Sequence, residues 1–255
     1  MIDNVTTRRG QEKDCGEMTN RAFLPGGLIY DPERAFDPDA CQGCGLAYEK
    51  SYAPDRRRHT KFHDEAVNGV PVTLACYSTQ IEVARSEKVE IYYADESTPL
   101  NLQKKLAEAA QHANSETHYD GGVLHVGDIR GGARVLWALE PTNQTRGRIV
   151  GLLIVGSRYD RAWDLPIDSL ADAIEGRSFS ASGTEAKSVR LRVAFFWVIR
   201  GRKGRGLASL LVRTSLLVTG AGLNNVAFQK PFTPDAARVI LQLARGAGCE
   251  SVWIY

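Results

Sequence analysis

Residues 189–218 read VRLRVAFFWVIRGRKGRGLASLLVRTSLLV, and this stretch decides the fold. Its first part, through Ile199, is rich in β-branched and aromatic residues, the composition of a strand. Its last part, from Leu207, is a leucine-rich run with the composition of a helix. Between them lies GRKGRG (201–206), a basic, glycine-containing turn. The first amides of a helix have no intrahelical acceptor, and the positive end of the helix dipole sits with them. Gly204 and Gly206 let the backbone approach an anion closely, while Arg202, Lys203 and Arg205 add charge. Diphosphate oxygens suit such a turn; a plain solvated turn is the other reading of the same residues. The spacing is neither the G-x4-G-K-[ST] loop nor the dinucleotide G-x-G-x-x-G.

Working outward, NNVAFQ (224–229) reads as a strand, TPDAARVILQLARGAG (233–248) as a helix and ESVWIY (250–255) as a final strand. Upstream, ARVLWALE (133–140) and RIVGLLIV (148–155) read as a hairpin across the polar PTNQTRG turn. Residues 157–187 are loop-rich, with an insertion or a short helix expected. Thr98-Pro99 opens a helix, LNLQKKLAEAAQHA, with Leu102, Leu106, Ala109, Ala110 and Ala113 on one apolar face. VTLACY (72–77) and KVEIYYA (88–94) read as strands before it. This order predicts a mixed α/β sheet with helices packed on it.

A second constellation lies at 41–63, CQGCGLAYEKSYAPDRRRHTKFH, a C-x2-C-x14-H-x3-H spacing. A two-residue gap lets a tight turn aim the Cys41 and Cys44 sulfurs at one point, with Gly43 and Gly45 easing the turn. Pro54 and Asp55 read as a helix start with Asp55 as N-cap. His59 and His63, four apart, then share a helical face. Four protein ligands close a tetrahedral zinc sphere, so the expected metal is structural.

The remaining composition narrows the partners. A net charge of +2 over 255 residues gives no global pull towards nucleic acid or membrane. Basic residues cluster at Arg56, Arg57, Arg58 and Lys61, and again from Lys187 to Arg205. Cys15, Cys76 and Cys249 show no pairing pattern, which suits a reducing, intracellular setting. No apolar run approaches a membrane span, and MIDNVTTRRGQEKD has no signal-like core. His112, His118 and His125 lack metal spacing and read as surface or hydrogen-bonded histidines, and Trp137, Trp163 and Trp253 as packing residues. Cys249 reads as a buried thiol. The expected organisation is an irregular or disordered tail at 1–36, a zinc module at 37–66, and one α/β domain at 67–255.

Lys203-x-x-Gly206-x-Ala208 resembles the Q/R-x-x-G-x-G/A turn of the general N-acetyltransferase (GNAT) fold. Together with the C2H2 finger it resembles one family, the establishment-of-cohesion N-acetyltransferases. The finger pattern appears as Cys41, Cys44, Gly45, Leu46, Tyr48, His59, Phe62 and His63. RIVGLLIV, Trp197-Val198, Leu207-Ala208-Ser209, Ala227-Phe228 and Thr233-Pro234-Asp235 resemble family segments in order, and the likeness spans about residues 38–255. The resemblance implies a GNAT-like mixed sheet behind a small zinc finger. It implies acetyl-CoA contacts at Trp197, Val198, Gly204, Arg205, Gly206, Leu207, Ala208, Ser209, Thr233, Pro234 and Asp235. It also implies acetyl transfer to a protein lysine, on the cohesin SMC subunit in the family, and a nuclear location if the host is eukaryotic.

The chain departs from that family at its chemistry. Ala194 stands where the family has Ser, Arg213 where it has Glu, and Gln229-Lys230-Pro231 with an extra Phe232 where its strand carries Asp in many members. The catalytic residue is therefore unassigned; Asp235, Glu185 and Asp160 are the carboxylates available. Three functions follow: a transferase divergent in its acceptor site, an inactive zinc-stabilised acetyl-CoA-binding or regulatory module, and, least favoured, a nucleic-acid-binding finger using Arg56 to Arg58.

Overall fold

The computed structural model describes residues 22–24, 28–30, 40–86, 88–117, 124–156, 159–175, 187–230 and 233–255. Strands β1 (Ala22–Leu24) and β2 (Leu28–Tyr30) pair antiparallel, where the sequence reading expected an irregular tail. Three-residue runs are too short to give a periodic signal. The rest of that tail, with Cys15, and also His118 and Glu185, lie outside the described residues.

Helix α1 (Ala53–Asn68) starts three residues earlier than expected: Tyr52 is the N-cap, Pro54 occupies the first turn, and Arg56 N–H closes on the Tyr52 carbonyl. Asp55 is therefore a first-turn acid that favours the helix dipole, not the cap. VTLACY is not one strand. It splits into β3 (Val70–Thr73) and one helical stretch, α2 (Leu74–Tyr77). The reason is register: β3 pairs with β7 (Arg146–Gly156) and runs out of partner at Thr73↔Arg146, so the chain turns and buries Tyr77 against Tyr92 and Trp137.

Next come β4 (Glu82–Ser86), β5 (Val89–Ala94), α3 (Leu100–Thr117), α4 (Val126–Arg130) and β6 (Arg134–Asn143). The β6–β7 hairpin forms as read, but its ladder runs on to Asn143↔Arg146, so most of PTNQTRG is strand. Within the stretch read as loop-rich, the expected short helix is present as α5 (Ser169–Ile174), while β8 (Tyr159–Pro166) before it and β9 (Lys187–Val189) after it correct the loop reading. The chain ends with β10 (Leu191–Val198), α6 (Leu207–Thr219), β11 (Val226–Phe228), α7 (Pro234–Gly246) and β12 (Ser251–Ile254).

The large sheet has the order β4-β5-β6-β7-β10-β11-β12-β8-β9, with β3 on the free stretch of β7. Pairs are antiparallel except β10–β11 and β11–β12, which are parallel and joined through helices α6 and α7. This is the mixed α/β sheet the element order predicted. The core is continuous from Ile91 and Trp137 through Leu152 and Leu153 to Phe228, Ile240 and Ile254. No described helix is long and apolar enough to cross a membrane.

One detail of pairing prepares the site. Strand β7 offers one edge to two partners: β10 ends at Val198↔Gly151, and β3 begins at Val70↔Ile149. The end of β10 therefore lies beside the joint between α1 and β3.

Candidate functional site

Strand β10 pairs with β11 only over Leu191–Val193, and Gln229 N–H to the Val193 carbonyl (3.0 Å) is the last rung. Beyond it, β10 continues to Val198 against β7 alone, with a register shift between Val193 and Phe195 at the point of divergence. A bulge there bends the strand away from its neighbour. Ile199 N–H bonds the Val150 carbonyl, so by strand alternation the backbone groups of Val198 and Phe196 point away from β7, into the gap. The sheet thus splays open in the middle, leaving unpaired peptide groups on one lip.

The turn after β10 lies at the mouth of that gap. Gly206 caps α6 with φ 77°, a left-handed conformation that disfavours any side chain, and no side chain caps the helix. The amides of Leu207, Ala208 and Ser209 are left without an intrahelical acceptor, because the first intrahelical bond is Leu210 N–H to the Gly206 carbonyl at 2.9 Å. Across the mouth, Thr233 caps α7 by accepting from Ala236 N–H at 3.1 Å, with Pro234 in the first turn.

A cavity of about 340 Å³ fills the space between. Of the residues tied to acetyl-CoA by resemblance, Trp197, Val198, Gly204, Gly206, Leu207, Ala208, Ser209, Thr233 and Asp235 line it; Arg205 and Pro234 do not. Sequence reasoning missed Thr117, at the end of α3, and Arg238, Val239 and Gln242 on α7. The α7 group was findable: with Asp235 it follows helical spacing of three and four residues. Its charges are largely engaged already. Arg202 holds Glu140 bidentately, Nε–Oε2 at 2.9 Å and Nη2–Oε1 at 2.6 Å. Asp235 meets Arg238 at 2.8 Å and Lys203 at 3.6 Å. Asp235 is the one carboxylate among the described lining residues. Arg213 is exposed on α6 and is not part of the wall, and the Asp160 side chain lies outside the described residues.

The second cluster is at the N-terminal side. Gly45 N–H to the Cys41 carbonyl (2.7 Å) and Cys41 N–H to the Leu46 carbonyl (3.0 Å) close a tight turn, and an Ala40–Ala47 bridge ties its ends. Helix α1 brings His59 and His63 over it. Donor atoms of Cys41, Cys44, His59 and His63 all lie within 4.8 Å of one another. Three observations fit these residues to one tetrahedral ion. His59 Nε2 is buried without a hydrogen-bond partner, and a lone buried nitrogen needs one. Cys41 Sγ and His63 Nδ1 are 3.2 Å apart. A Cβ at Gly43 would stand 2.7 Å from His63 Cε1, so only glycine admits that imidazole. Burial pushes the Cys41 thiol up, but the Cys44 backbone amide and His59 outweigh it, lowering its pKa to about 6, whereas burial and the Cys41 thiolate push Cys44 up to about 11. A thiolate poised at neutral pH is the form a zinc ligand takes. Tyr48 stacks on His59 with ring centroids 3.8 Å apart, which fixes the ring plane.

The other expectations sort as follows. Arg56, Arg57 and Arg58 are all exposed, and Arg56 donates to the Lys50 and Ser51 carbonyls and so bolts down the loop before α1. His112 is buried, edge-on to Trp197 and against Phe62, rather than at the surface. His125 caps α4. Trp137 is fully buried, stacked on Tyr92.

No family model matches this sequence, and no curated protein matches it. Among solved structures, the chain is similar to the xEco2 acetyltransferase domain bound to a CoA conjugate. Identity is 19% and the TM-score 0.54, with 69% of this chain and 97% of that one covered. It also matches AtaTR bound with AcCoA, at 15% identity and a TM-score of 0.36, over 66% of this chain and 94% of that one. The first likeness establishes that the mixed sheet has the fold of an acetyltransferase domain; at such identity it is a likeness of fold alone.

Proposed function

We propose that the protein is an acetyl-CoA-dependent N-acetyltransferase whose acceptor is a primary amine, and by resemblance to the cohesion family a protein lysine. The observation that carries this reading is the splayed β10–β11 gap with the uncapped Gly206 turn at its mouth. The amides of Leu207, Ala208 and Ser209, at the positive end of α6, suit the diphosphate of coenzyme A. The Val198 amide, pointing into the gap, suits the thioester carbonyl and the oxyanion that forms from it. Acetyl-CoA supplies an activated acetyl group; the chain's part is to bind, orient and exclude water. Zinc at Cys41, Cys44, His59 and His63 would be structural, since the four ligands leave no open position. An SMC subunit as acceptor, and an intracellular or nuclear setting, belong to the same family-based reading.

A lysine amine of solution pKa near ~10.4 must lose a proton before it attacks. Asp235, the one carboxylate on the described wall, is engaged by Lys203 and Arg238, so none of the described lining residues offers a free carboxylate base for that proton. That same observation favours a second reading, a module that binds acetyl-CoA without transferring it.

Labelled acetyl-CoA incubated with the protein and a panel of lysine peptides separates the two. Transfer to peptide or to the protein's own lysines supports the enzyme. Acetyl-CoA binding without transfer to any acceptor leaves the binding module, and absence of binding removes both.

A further inference from the structure

Glu116 lies in the last turn of α3, one residue before cavity-lining Thr117, and its side chain is 2% exposed. A carboxylate that deep is costly unless both oxygens are satisfied. They are: Oε2 accepts from Trp197 Nε1 at 2.8 Å, and Oε1 from Arg200 Nε at 3.2 Å. Trp197 belongs to the part of β10 that has lost its β11 partner. No ladder holds that lip on the open side, so its depth is set by β7 and by whatever grips its side chains. Glu116 grips the indole, and His112 closes on it edge-on at 6.0 Å. Arg200 extends the grip the other way. Its guanidinium underlies the Cys-x2-Cys turn, where a Cβ on Gly45 would be 3.2 Å from Nη2.

We infer that Glu116 is a positioning residue: by holding Trp197 and Arg200 at once, it sets the open end of β10 for the acyl donor and ties it to the metal-binding turn. The inference rests on the acetyl-CoA reading above. Glu116 is not part of the cavity wall and takes no proton in the reaction. Its effect passes through Trp197, whose displacement would carry the neighbouring Val198 amide off its target. Small misplacements of this kind cost as much as about 100-fold in rate.

The test is acetyl-CoA affinity by calorimetry on the full chain, with zinc content and melting temperature recorded for each variant. Glu116→Ala should weaken binding by about 30-fold, and Trp197→Phe, which removes the indole donor but keeps a ring, by a similar factor. Combining them should add little, because both break one contact. Glu116→Gln keeps a carbonyl for the indole but turns an NH2 donor towards Arg200 Nε, so it cuts the Arg200 arm while leaving the grip on Trp197. It should therefore bind within about 3-fold of the parent even if it melts earlier. A residue that merely supports folding would lower the melting temperature of Glu116→Gln and Glu116→Ala without this split in affinity. Should Glu116→Ala not fold, the Glu116→Gln and Trp197→Phe pair still decides: equal loss in both, or none in Trp197→Phe, overturns the role. Binding by the parent that survives in all variants, or losses that multiply, overturns the inference and leaves the acetyl-CoA reading standing. No binding by the parent overturns that reading and this inference with it.

Discussion

The Cys/His turn and the β10 gap are both candidate binding sites, but they are built in opposite ways. In the first, four side chains from a stretch of 23 residues converge, Cys41 through His63. In the second, the groups on offer are peptide groups left without partners: the Val198 lip and the first amides of α6. One site is made by adding ligands, the other by withholding pairing. Side-chain sites announce themselves in residue type and spacing, whereas backbone sites depend on where a ladder stops.

This contrast predicts different responses to change. The largest effect should come from the metal. Chelation, or Cys44→Ser, removes a tie worth on the order of 10 kcal/mol in comparable small sites. Limited proteolysis should then cut within residues 40–68 while the sheet resists; intact resistance across that stretch would break the contrast.

His112 lies between the two regions, packed against Phe62 of α1 and Trp197 of β10. Burial drives its pKa down from 6.5 to about 4, with Lys61 pushing the same way and Glu108 opposing; Glu65 stands 3.6 Å away. The unfolded chain therefore binds the extra proton first. Its neutral form stabilises the fold fully above about pH 6.5, and that stability is lost as pH falls towards about 4, up to about 3 kcal/mol. Equilibrium denaturation across this window should flatten in His112→Phe; an unchanged slope would place the acid sensitivity elsewhere.

Gly206→Glu probes the backbone site. A Cβ there meets no atom within 4 Å, so no collision explains a loss. Positive φ and negative charge beside the amides should weaken acetyl-CoA by about 100-fold or more. Gly220→Glu is the control, with φ 62° at the other end of α6 and open space around it. It should lower the melting temperature and leave affinity unchanged. Equal losses in both would reduce the Gly206 effect to strain. The smallest effect is Thr233→Ala, which removes the α7 cap at a cost of about 1 kcal/mol, readable in denaturant titration.

Legibility in the sequence followed the same division. The C-x2-C and H-x3-H spacing pointed to a cluster that the fold brings together, because ligand geometry constrains residue identity directly. The strand–turn–helix was readable from Leu191 to Val218 because its hydrophobic pattern changes sharply at GRKGRG, but Val189, read as the start of the same strand, ends β9 instead and pairs with β8. Strand β8 was not: Ala162 and Leu165 are buried but Trp163 is 37% exposed, so neither alternation nor a continuous apolar run marked it. VTLACY misled because strand propensity says nothing of when a partner ends. Glu116 could not have been found from its neighbours in sequence. Its partners are more than 80 residues away, and a single Glu on an alanine-rich helix reads as a solvated charge.

Hydrogen–deuterium exchange of the full chain with and without acetyl-CoA tests the central claim most directly. Protection should concentrate at Val198 and at Gly206 through Ser209, the unpaired amides of the lip and turn. Exchange that acetyl-CoA leaves unchanged there, or protection confined to other segments, would contradict it.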